Sequence, residues 1–391
     1  MSAAAEPLLE RQYLTGNWNG IRPLLSAHGF EPYLTYTGTV WSNLAGGHAT
    51  GVRVNGYLDF GLEIDLAKLG AWDGLGVHAD FHWWQGGKPT STLIGGVLAM
   101  GLSDWEAAST FRVFNLYVRQ AFDGDRFVLK AGQIAADTDF MISRYGGIFL
   151  NAAFGDLPSQ NLNLDAPVYP LAGPGVFASG RFRQWLTGRF GAYTGDPGRD
   201  RAGNHGFQWR LGTDAGCTVF SELAAAPNGS LPATYTLGGI YGTGGSGQSM
   251  SGLRRTQNYE LYLMVDQTIL ANDHGDPVLS AFGRLSGSPD NTPDVVGLYA
   301  DAGLLLLGLL PSRPKDALGV AVSILRFTDD FQQQTAVAGR PVGRGETLLE
   351  LTYQVAIAPW LVVQPDAQFF FEPAFSRRNA QALGVQIVAI F

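Results

Sequence analysis

The sequence predicts an all-β protein, a single antiparallel transmembrane β-barrel of about sixteen strands. Three observations lead there. Apolar residues recur with period two in segments of about ten residues. The links between those segments alternate between short and long. Charged residues are scarce, yet no apolar run is long enough to form a membrane helix.

Of 391 residues, only 15% are charged, 12% are aromatic and 52 are Gly, whereas a soluble domain carries about 25% charged residues. Mean hydropathy is +0.03. The nearest approach to a membrane helix is Ala302 to Leu310, well short of the roughly 20 residues required. What fits is a β protein that spreads its apolar residues thinly over many short strands. The net charge of -8 and the absence of a basic run exclude nucleic acid as a partner. The one cysteine, Cys217, cannot form an intramolecular disulfide. The opening MSAAAEPLLERQ has no apolar secretory stretch, so the barrel reading expects a signal peptide to be missing from this chain.

The closing segment sets the pattern, with Leu383, Val385, Ile387, Ala389 and Phe391 on one face and the terminal Phe at the interfacial girdle. From Tyr57 to Leu66 the even positions Leu58, Phe60, Leu62, Ile64 and Leu66 are apolar, against Asp59, Glu63 and Asp65. Leu349, Leu351, Tyr353, Val355 and Ile357 alternate with Glu350, Thr352, Gln354 and Ala356. A half-solvated soluble sheet would also alternate, so repetition has to decide. The strands read as 31–41, 56–67, 75–84, 111–122, 126–134, 175–183, 185–194, 215–224, 233–243, 256–267, 277–286, 296–308, 316–327, 346–358, 360–371 and 381–391. The weakly alternating stretch Gly206 to Gly212 is assigned to a loop, because a barrel with both termini on one side needs an even count.

Short links such as Asp123-Gly124-Asp125, Gln184 and Pro359 then fall on the periplasmic side. Long ones, 42–55, 85–110, 135–174, 195–214, 244–255, 287–295, 328–345 and 372–380, fall outside. Trp72, Trp185, Trp360 and Phe391 are expected at the periplasmic rim, and Trp41, Trp83, Trp84 and Phe371 near the outer one.

Further segments resemble the carbohydrate-selective porin family OprB. They are LTGNWNGIRPLLSAHGF (14–30) followed by YTGTVWSNLAGG, AGQIAADTDF with FLNAAFG (131–155), GLYADAGLLLLGLLPSRPKDALGV (297–320) and ETLLELTYQVAIAPWLVVQPDAQFFFEP (346–373). Their shared order covers nearly the whole chain. Asn17 stands where the family often has Asp, and loops 244–255 and 287–295 look short. The resemblance implies a sixteen-stranded outer-membrane barrel for passive sugar uptake, with residues 1–30 forming a short helix in or at the lumen. Trp18, Ile21, Leu24 and Leu25 would then plug the barrel rather than cap its end.

Parity assigns the lumen face. The pore-lining candidates are Trp41, Asp59, Glu63, Asp80, Tyr117, Arg119, Lys130, Arg181 and Arg183. Other inward residues include Tyr33, His78, His82, Asn115, Arg189, Glu222, Glu260, Arg284 and Asp301. Acids, bases and aromatic rings together suit neutral polyhydroxyl solutes, whose hydroxyls donate and accept and whose apolar faces a ring can cover. Loop 135–174 is long enough to be functional. It is expected to fold into the pore and narrow it against Arg119, Lys130, Arg181 and Arg183, with Asp137, Asp139 and Arg144 contributing. His78, Asp80 and His82 share a strand face with a spacing that could hold a metal, but no further ligand can be named, and polar lining is the simpler reading.

No cofactor and no catalytic residue is expected. Glu63 and Glu260 could be imagined as a glycosidase pair, but their separation cannot be read, and neither a G-x-S-x-G turn nor a Walker loop is present. The reading is therefore a porin for facilitated diffusion of carbohydrates, in contact with outer-membrane lipid and compatible with a homo-oligomer. The alternatives are a weakly selective general diffusion porin and a barrel enzyme acting on lipid or glycan.

Overall fold

The computed structural model describes residues 6–97, 100–243, 257–288, 294–376 and 378–391. The loop expected at 244–255, and most of that at 287–295, lie outside the described residues. Sixteen strands run in chain order: β1 (Phe30–Gly46), β2 (Gly51–Asp65), β3 (Leu75–Gly86), β4 (Phe111–Phe122), β5 (Phe127–Ile134), β6 (Gly173–Arg183), β7 (Leu186–Thr194) and β8 (Cys217–Ala225) form the first half. β9 (Ala233–Thr243), β10 (Gln257–Ala271), β11 (Pro277–Gly287), β12 (Val296–Leu307), β13 (Ala317–Phe327), β14 (Gly345–Ala358), β15 (Leu361–Phe371) and β16 (Ala380–Ile390) complete it. Each strand pairs antiparallel with its sequence neighbours, and β1 closes on β16 with Thr35 opposite Ile390 and Val40 opposite Val385. Closure leaves no sheet edge, which hydrocarbon would not tolerate.

The polarity is inverted relative to a soluble protein. On β10, Leu261 and Leu263 are about half exposed, at 52% and 51%, while Glu260 and Tyr262 between them are each 1% exposed. On β14, Leu349 and Leu351 face outward, and Glu350 and Thr352 are buried. Period-two alternation placed on a closed sheet gives this result: lipid solvates the apolar face, and every polar side chain on the other face points into the barrel.

Turn chemistry matches the short links. In the β4–β5 turn Asp123, Gly124 and Asp125 all have positive φ, which Gly and Asp tolerate best. The extracellular link between β1 and β2, expected as 42–55, is only 47–50. Ser42, Asn43 and the glycines around them look like turn residues, but Asn43 pairs with Gly51 and the hairpin continues.

Adjacent strand residues point to opposite faces, so Trp83 and Trp84 cannot both sit at a lipid rim. Trp83 is exposed and Trp84 is buried, its Nε1 donating to the Trp105 carbonyl at 3.0 Å. Trp41 and Trp360 are likewise turned away from lipid: Trp360 Nε1 donates to the Leu8 carbonyl at 2.7 Å. Trp72 and Trp185 are exposed at the periplasmic end, as expected.

The N-terminal helix α1 (Ile21–Ala27) lies at the periplasmic rim beside β1 and the β2–β3 turn. Trp18, Ile21 and Leu24 are exposed and Leu25 is half-buried, and none of them joins the apolar cluster inside the barrel, so the segment caps the barrel's end rather than plugging the lumen as expected. The buried residue of this helix is Arg22. Its guanidinium lies 3.9 Å from the Tyr13 ring centroid and 4.2 Å from that of Trp18, and donates to the Phe391 main-chain oxygen at 2.9 Å. Ring contacts of that kind are worth about 0.5–2 kcal/mol and hold the segment together, while the Arg22 bond to Phe391 and the Leu14 amide bond to the Ile390 carbonyl at 2.8 Å anchor it to the β1–β16 seam.

The substitution Leu351→Arg is expected to lower unfolding stability in lipid vesicles by about 2–4 kcal/mol, the penalty for Arg on the lipid face near the midplane. Gln354→Arg, on the inward face, should cost clearly less in the same denaturant titration.

Candidate functional site

Inward residues of β6 and β8–β15 include large apolar groups: Phe177, Phe220, Ile240, Tyr262, Phe282, Tyr299, Leu325, Leu348 and Phe370, all buried. They are covered by the β5–β6 connection, residues 135–172, whose Phe140, Met141, Phe149, Phe154 and Leu157 belong to the same apolar cluster. Phe140 meets Phe177 and Phe220 at centroid distances of 5.6 and 5.3 Å, and Phe149 meets Phe282 at 5.6 Å. Each such side chain contributes roughly 1.5–3 kcal/mol by burial.

The backbone of this segment would lose its water partners, and the barrel wall replaces them with carboxylates. Glu222 accepts from the Met141 amide at 3.1 Å. Asp266 accepts from Ser143 Oγ at 2.7 Å and from the Arg144 and Tyr145 amides at 3.1 Å each. Glu350 accepts from the Leu150 and Asn151 amides at 2.6 and 3.1 Å. Arg284, held by Asp301, donates to the Gly155 and Ala153 carbonyls at 2.5 and 2.8 Å. Ser159, in the short helix α2 (Pro158–Asn163), bonds to Glu260.

Among the described residues, open space remains on the other side of the barrel in two chambers, one along β2–β5 and one among the long connections outside them. The inner one, about 540 Å³, is lined by Glu31, Glu63, Asp65, Asp73, His78, Tyr117, Arg119, Asp125 and Lys130 among others. The outer one, about 470 Å³, is lined by Lys88, Thr90, Asp104, Glu106, Asp137, Asp156, Asn161, Tyr169 and Asp200 among others. Between them stands an aromatic group: the Tyr57 ring lies parallel to Trp105 and Trp84, both at 5.8 Å, and His82 stacks on Phe114 at 4.2 Å.

Of the sequence-derived candidates, Glu63, Asp80 and Tyr117 come together around His78. That imidazole lies 3.5 Å from Glu63 and 3.1 Å from Asp80, and stacks on Tyr117 at 4.9 Å. Asp80 also accepts from the Asn115 amide and side chain at 2.5 and 3.0 Å. Asp59 faces His82 at 3.6 Å. Lys130 binds both oxygens of Asp139 at 2.7 and 2.9 Å, between the rings of Tyr117 and Phe177. Among the described residues no cluster of His, Cys, Asp or Glu has metal-ligand geometry.

Of the remaining four, Arg119 lines the inner chamber and the other three lie elsewhere. Arg119 is tied to Asp125 of the β4–β5 turn at 2.6 Å. Arg181 and Arg183 are exposed at the periplasmic end of β6, eight or more residues from the loop that leaves its other end, or about 26 Å along a strand. They do not join Lys130 and the loop in one basic cluster. Trp41 is fully buried, its Nε1 bonded to Ser103 Oγ at 2.9 Å, and its ring fills the space that a side chain at Gly384 would need. It packs the wall rather than meeting solute.

Sequence reading missed Asp104, Glu106, Trp105 and Tyr169, all on long connections, where no periodicity marks a side chain's direction. It also missed Arg112 on β4, which is buried and bonded to Asp200 at 3.0 Å and to the Asn204 and Pro170 carbonyls. Parity could not have found that one: a bulge between Val113 and Leu116 reverses the alternation, so the parity that turns Asn115, Tyr117 and Arg119 inward would have turned Arg112 outward.

The outer chamber is rich in carboxylates. Enclosure, and then the nearby Asp156 charge, push Asp104 up to about 7. Burial raises Asp137 and Asp156 as well, Asp137 being pushed further by Asp156. Enclosure raises Glu106 in spite of bonds from Thr90 Oγ1 and the Thr90 amide.

A closed sixteen-stranded barrel, apolar outside and water-accessible inside, is an outer-membrane channel. The family model described as carbohydrate-selective porin, OprB family, matches residues 49–391, and the chain belongs to that family. Over 422 aligned residues it is 25% identical to Porin B of Pseudomonas aeruginosa, covering 97% of this chain and 91% of that one. It is 21% identical to the putative porin QuiX of Acinetobacter baylyi, covering 93% and 89%. The high-pH structure of Pseudomonas putida OprB superposes with a TM-score of 0.88 at 23% identity, covering 99% of this chain and 100% of that one. The chain is thus a carbohydrate porin of the bacterial outer membrane, and family and fold point to a channel rather than an enzyme.

Two expectations follow. Asp104 is protonated below about 7, so the outer chamber gains negative charge as pH rises through that value. Cation-over-anion permeability, measured from reversal potentials, should therefore rise between pH 5 and 8. Because this carboxyl is raised in the fold above its unfolded value near 3.9, its contribution to stability is greatest below that value and is lost as pH rises to about 7. Second, Asp266→Ala removes three hydrogen bonds to the folded-in segment, each worth about 1.5–3 kcal/mol with a charged partner. Single-channel conductance should increase, and trypsin should cut after Arg144.

Proposed function

We propose that neutral carbohydrates cross by facilitated diffusion along the β2–β5 wall, passing from the outer chamber across the aromatic group to the inner chamber. The observation that carries this reading is the stacked His78 and Tyr117 pair beside Glu63, Asp80 and Lys130, at the wall of the inner chamber. A planar ring covers the apolar face of a pyranose, while flanking carboxylates and ammonium accept from and donate to its hydroxyls. Contacts of this kind are shallow and repeated, so entry is favourable and exit stays easy, with no covalent step. Asp59, Glu63, Asp80, Tyr117, Lys130 and, at the inner mouth, Arg119 are the residues assigned to solute contact. The carboxylates of the outer chamber disfavour anionic solutes.

The test is a planar-bilayer recording with a panel of mono- and oligosaccharides. Concentration-dependent block of ion current is expected. Tyr117→Ala should raise the half-blocking concentration about 2- to 10-fold, as loss of a stacking contact of roughly 0.5–1.5 kcal/mol requires. Arg181→Ala with Arg183→Ala should do much less. Absence of block by any sugar would favour a general diffusion pore, and equal effects of the two changes would remove the assigned path.

A further inference from the structure

The outer face of the barrel is not uniformly covered by side chains. Across β5 to β10 a groove of about 820 Å³ opens toward the membrane, walled by Phe127, Phe182, Phe190 and Leu261. Its floor is low because Gly180 pairs with Gly188, and Ser221 with Gly239, all on the lipid side; the Phe127 and Phe182 rings lean over the first pair, and the second is left as the open part of the floor. The Arg189–Glu222 ion pair, which belongs to the inner side, lines the groove from beneath. A second groove, of about 350 Å³, shares Leu129, Ala178 and Phe190 with the first and continues to Val176.

Length and charge say what would fill it. Phe182 to Val176 spans six residues of β6, about 20 Å along a strand and about 15 Å along the membrane normal at a tilt near 40°. That is the depth of one leaflet, half of a hydrocarbon core about 30 Å thick. The periplasmic end of the groove is basic. Arg126 lies 5.2 Å from the Phe127 ring, and its Nε donates to the Arg181 carbonyl at 3.2 Å. Arg181 and Arg183 flank Phe182 and are exposed. Two carboxylates are close by: Asp123, 3.2 Å from Arg126, and Asp125, which is bound to Arg119. The arginines of these two turns outnumber them, and exposed Trp185 marks the same level as interfacial.

We propose that this face binds one phospholipid of the periplasmic leaflet, an acyl chain lying in the glycine-floored groove and the phosphate held by Arg126 and Arg183. A trough floored by Ser221 and Gly239 between aromatic walls lets a flexible hydrocarbon chain recover dispersion contacts that a stiff lipid annulus over a gap would lose. A guanidinium is the donor best matched to a phosphate. The site faces away from the lumen, so it stands or falls independently of the sugar path.

The test is native mass spectrometry of the full chain released from nanodiscs of palmitoyl-oleoyl phosphatidylethanolamine and phosphatidylglycerol. The wild type should retain about one phospholipid after mild activation. Ser221→Leu with Gly239→Leu, which fills the groove, should lower that occupancy at least five-fold while conductance stays unchanged, so a loss cannot be blamed on misfolding. Arg126→Gln with Arg183→Gln should lower it by a similar factor. Ala367→Leu, on the lipid side of β15, should not. The proposal is overturned if retention is the same in all variants, if only the groove-filling change matters so that no phosphate contact exists, or if the wild type appears as an oligomer that the groove-filling change dissociates, which would make this face a subunit contact.

Discussion

The interior of this barrel depends on one arrangement, the capture of a folded-in backbone by carboxylates of the wall. A sixteen-stranded barrel is wide enough to leave an aqueous channel, and residues 135–172 occupy much of it. A chain segment led into such a space gives up water at its amides. Glu222, Asp266, Glu350 and the Arg284–Asp301 pair take over those groups in sequence along the segment. Charged acceptors bond amides about twice as strongly as neutral ones, and leaving any one of them unpaired inside the barrel would be costly. The apolar faces follow: Phe140, Phe149 and Phe154 sit against Phe177, Phe220 and Phe282 once the backbone is fixed.

From that arrangement comes the asymmetry of the lumen. Where the segment packs, on β6 and β8–β15, inward positions carry aromatic and aliphatic groups together with the carboxylates that hold it. Where it does not, on β2–β5, they carry Asp59, Glu63, His78, Asp80, Tyr117 and Lys130, which face water and one another. Lys130 stands at the border, bound to Asp139 of the segment yet beside the Tyr117 ring. A solute in the inner chamber therefore meets a wall on which His78, Arg119 and Lys130 are each bonded to a carboxylate. Those donors are fixed in place, and with Glu31, Asp65 and Asp73 beside them the acids outnumber the bases, so the wall favours neutral and cationic solutes over anions.

The strands were legible because lipid and lumen impose period two on every one of them, and no tertiary detail is needed to see it in Leu349 to Ile357 or Leu383 to Ala389. Strand ends were less so: β1 runs through Ser42 and Asn43 because they pair with Val52 and Gly51 of β2, and on to Gly46 because Ala45 and Gly46 pair with Gln381 and Ala380 of β16, a fact that lies in the pairing and not in local turn propensity. Direction along a strand was readable too, and it would have told that only one of Trp83 and Trp84 can reach lipid. The site was half legible. Glu63, Asp80 and Tyr117 follow from parity, but Asp104, Trp105 and Tyr169 sit on aperiodic connections that are placed by contacts far away in sequence, such as Trp105 with Gln386 at 2.9 Å. For the same reason Arg181 and Arg183, near the long loop in sequence, are a strand's length away from it in space.

The central claim is that the folded-in segment seals one side of the barrel and confines solute to the other. Single cysteines in a Cys217→Ser background test it most directly, through the rate at which a charged water-soluble methanethiosulfonate reagent reduces single-channel current. Cysteine at Glu63 or Tyr117, on the open side, should react rapidly and lower the current. Cysteine at Ser280 or Ser323, both fully buried on the sealed side, should leave the current unchanged over the same exposure. Comparable rates at all four positions would contradict the account.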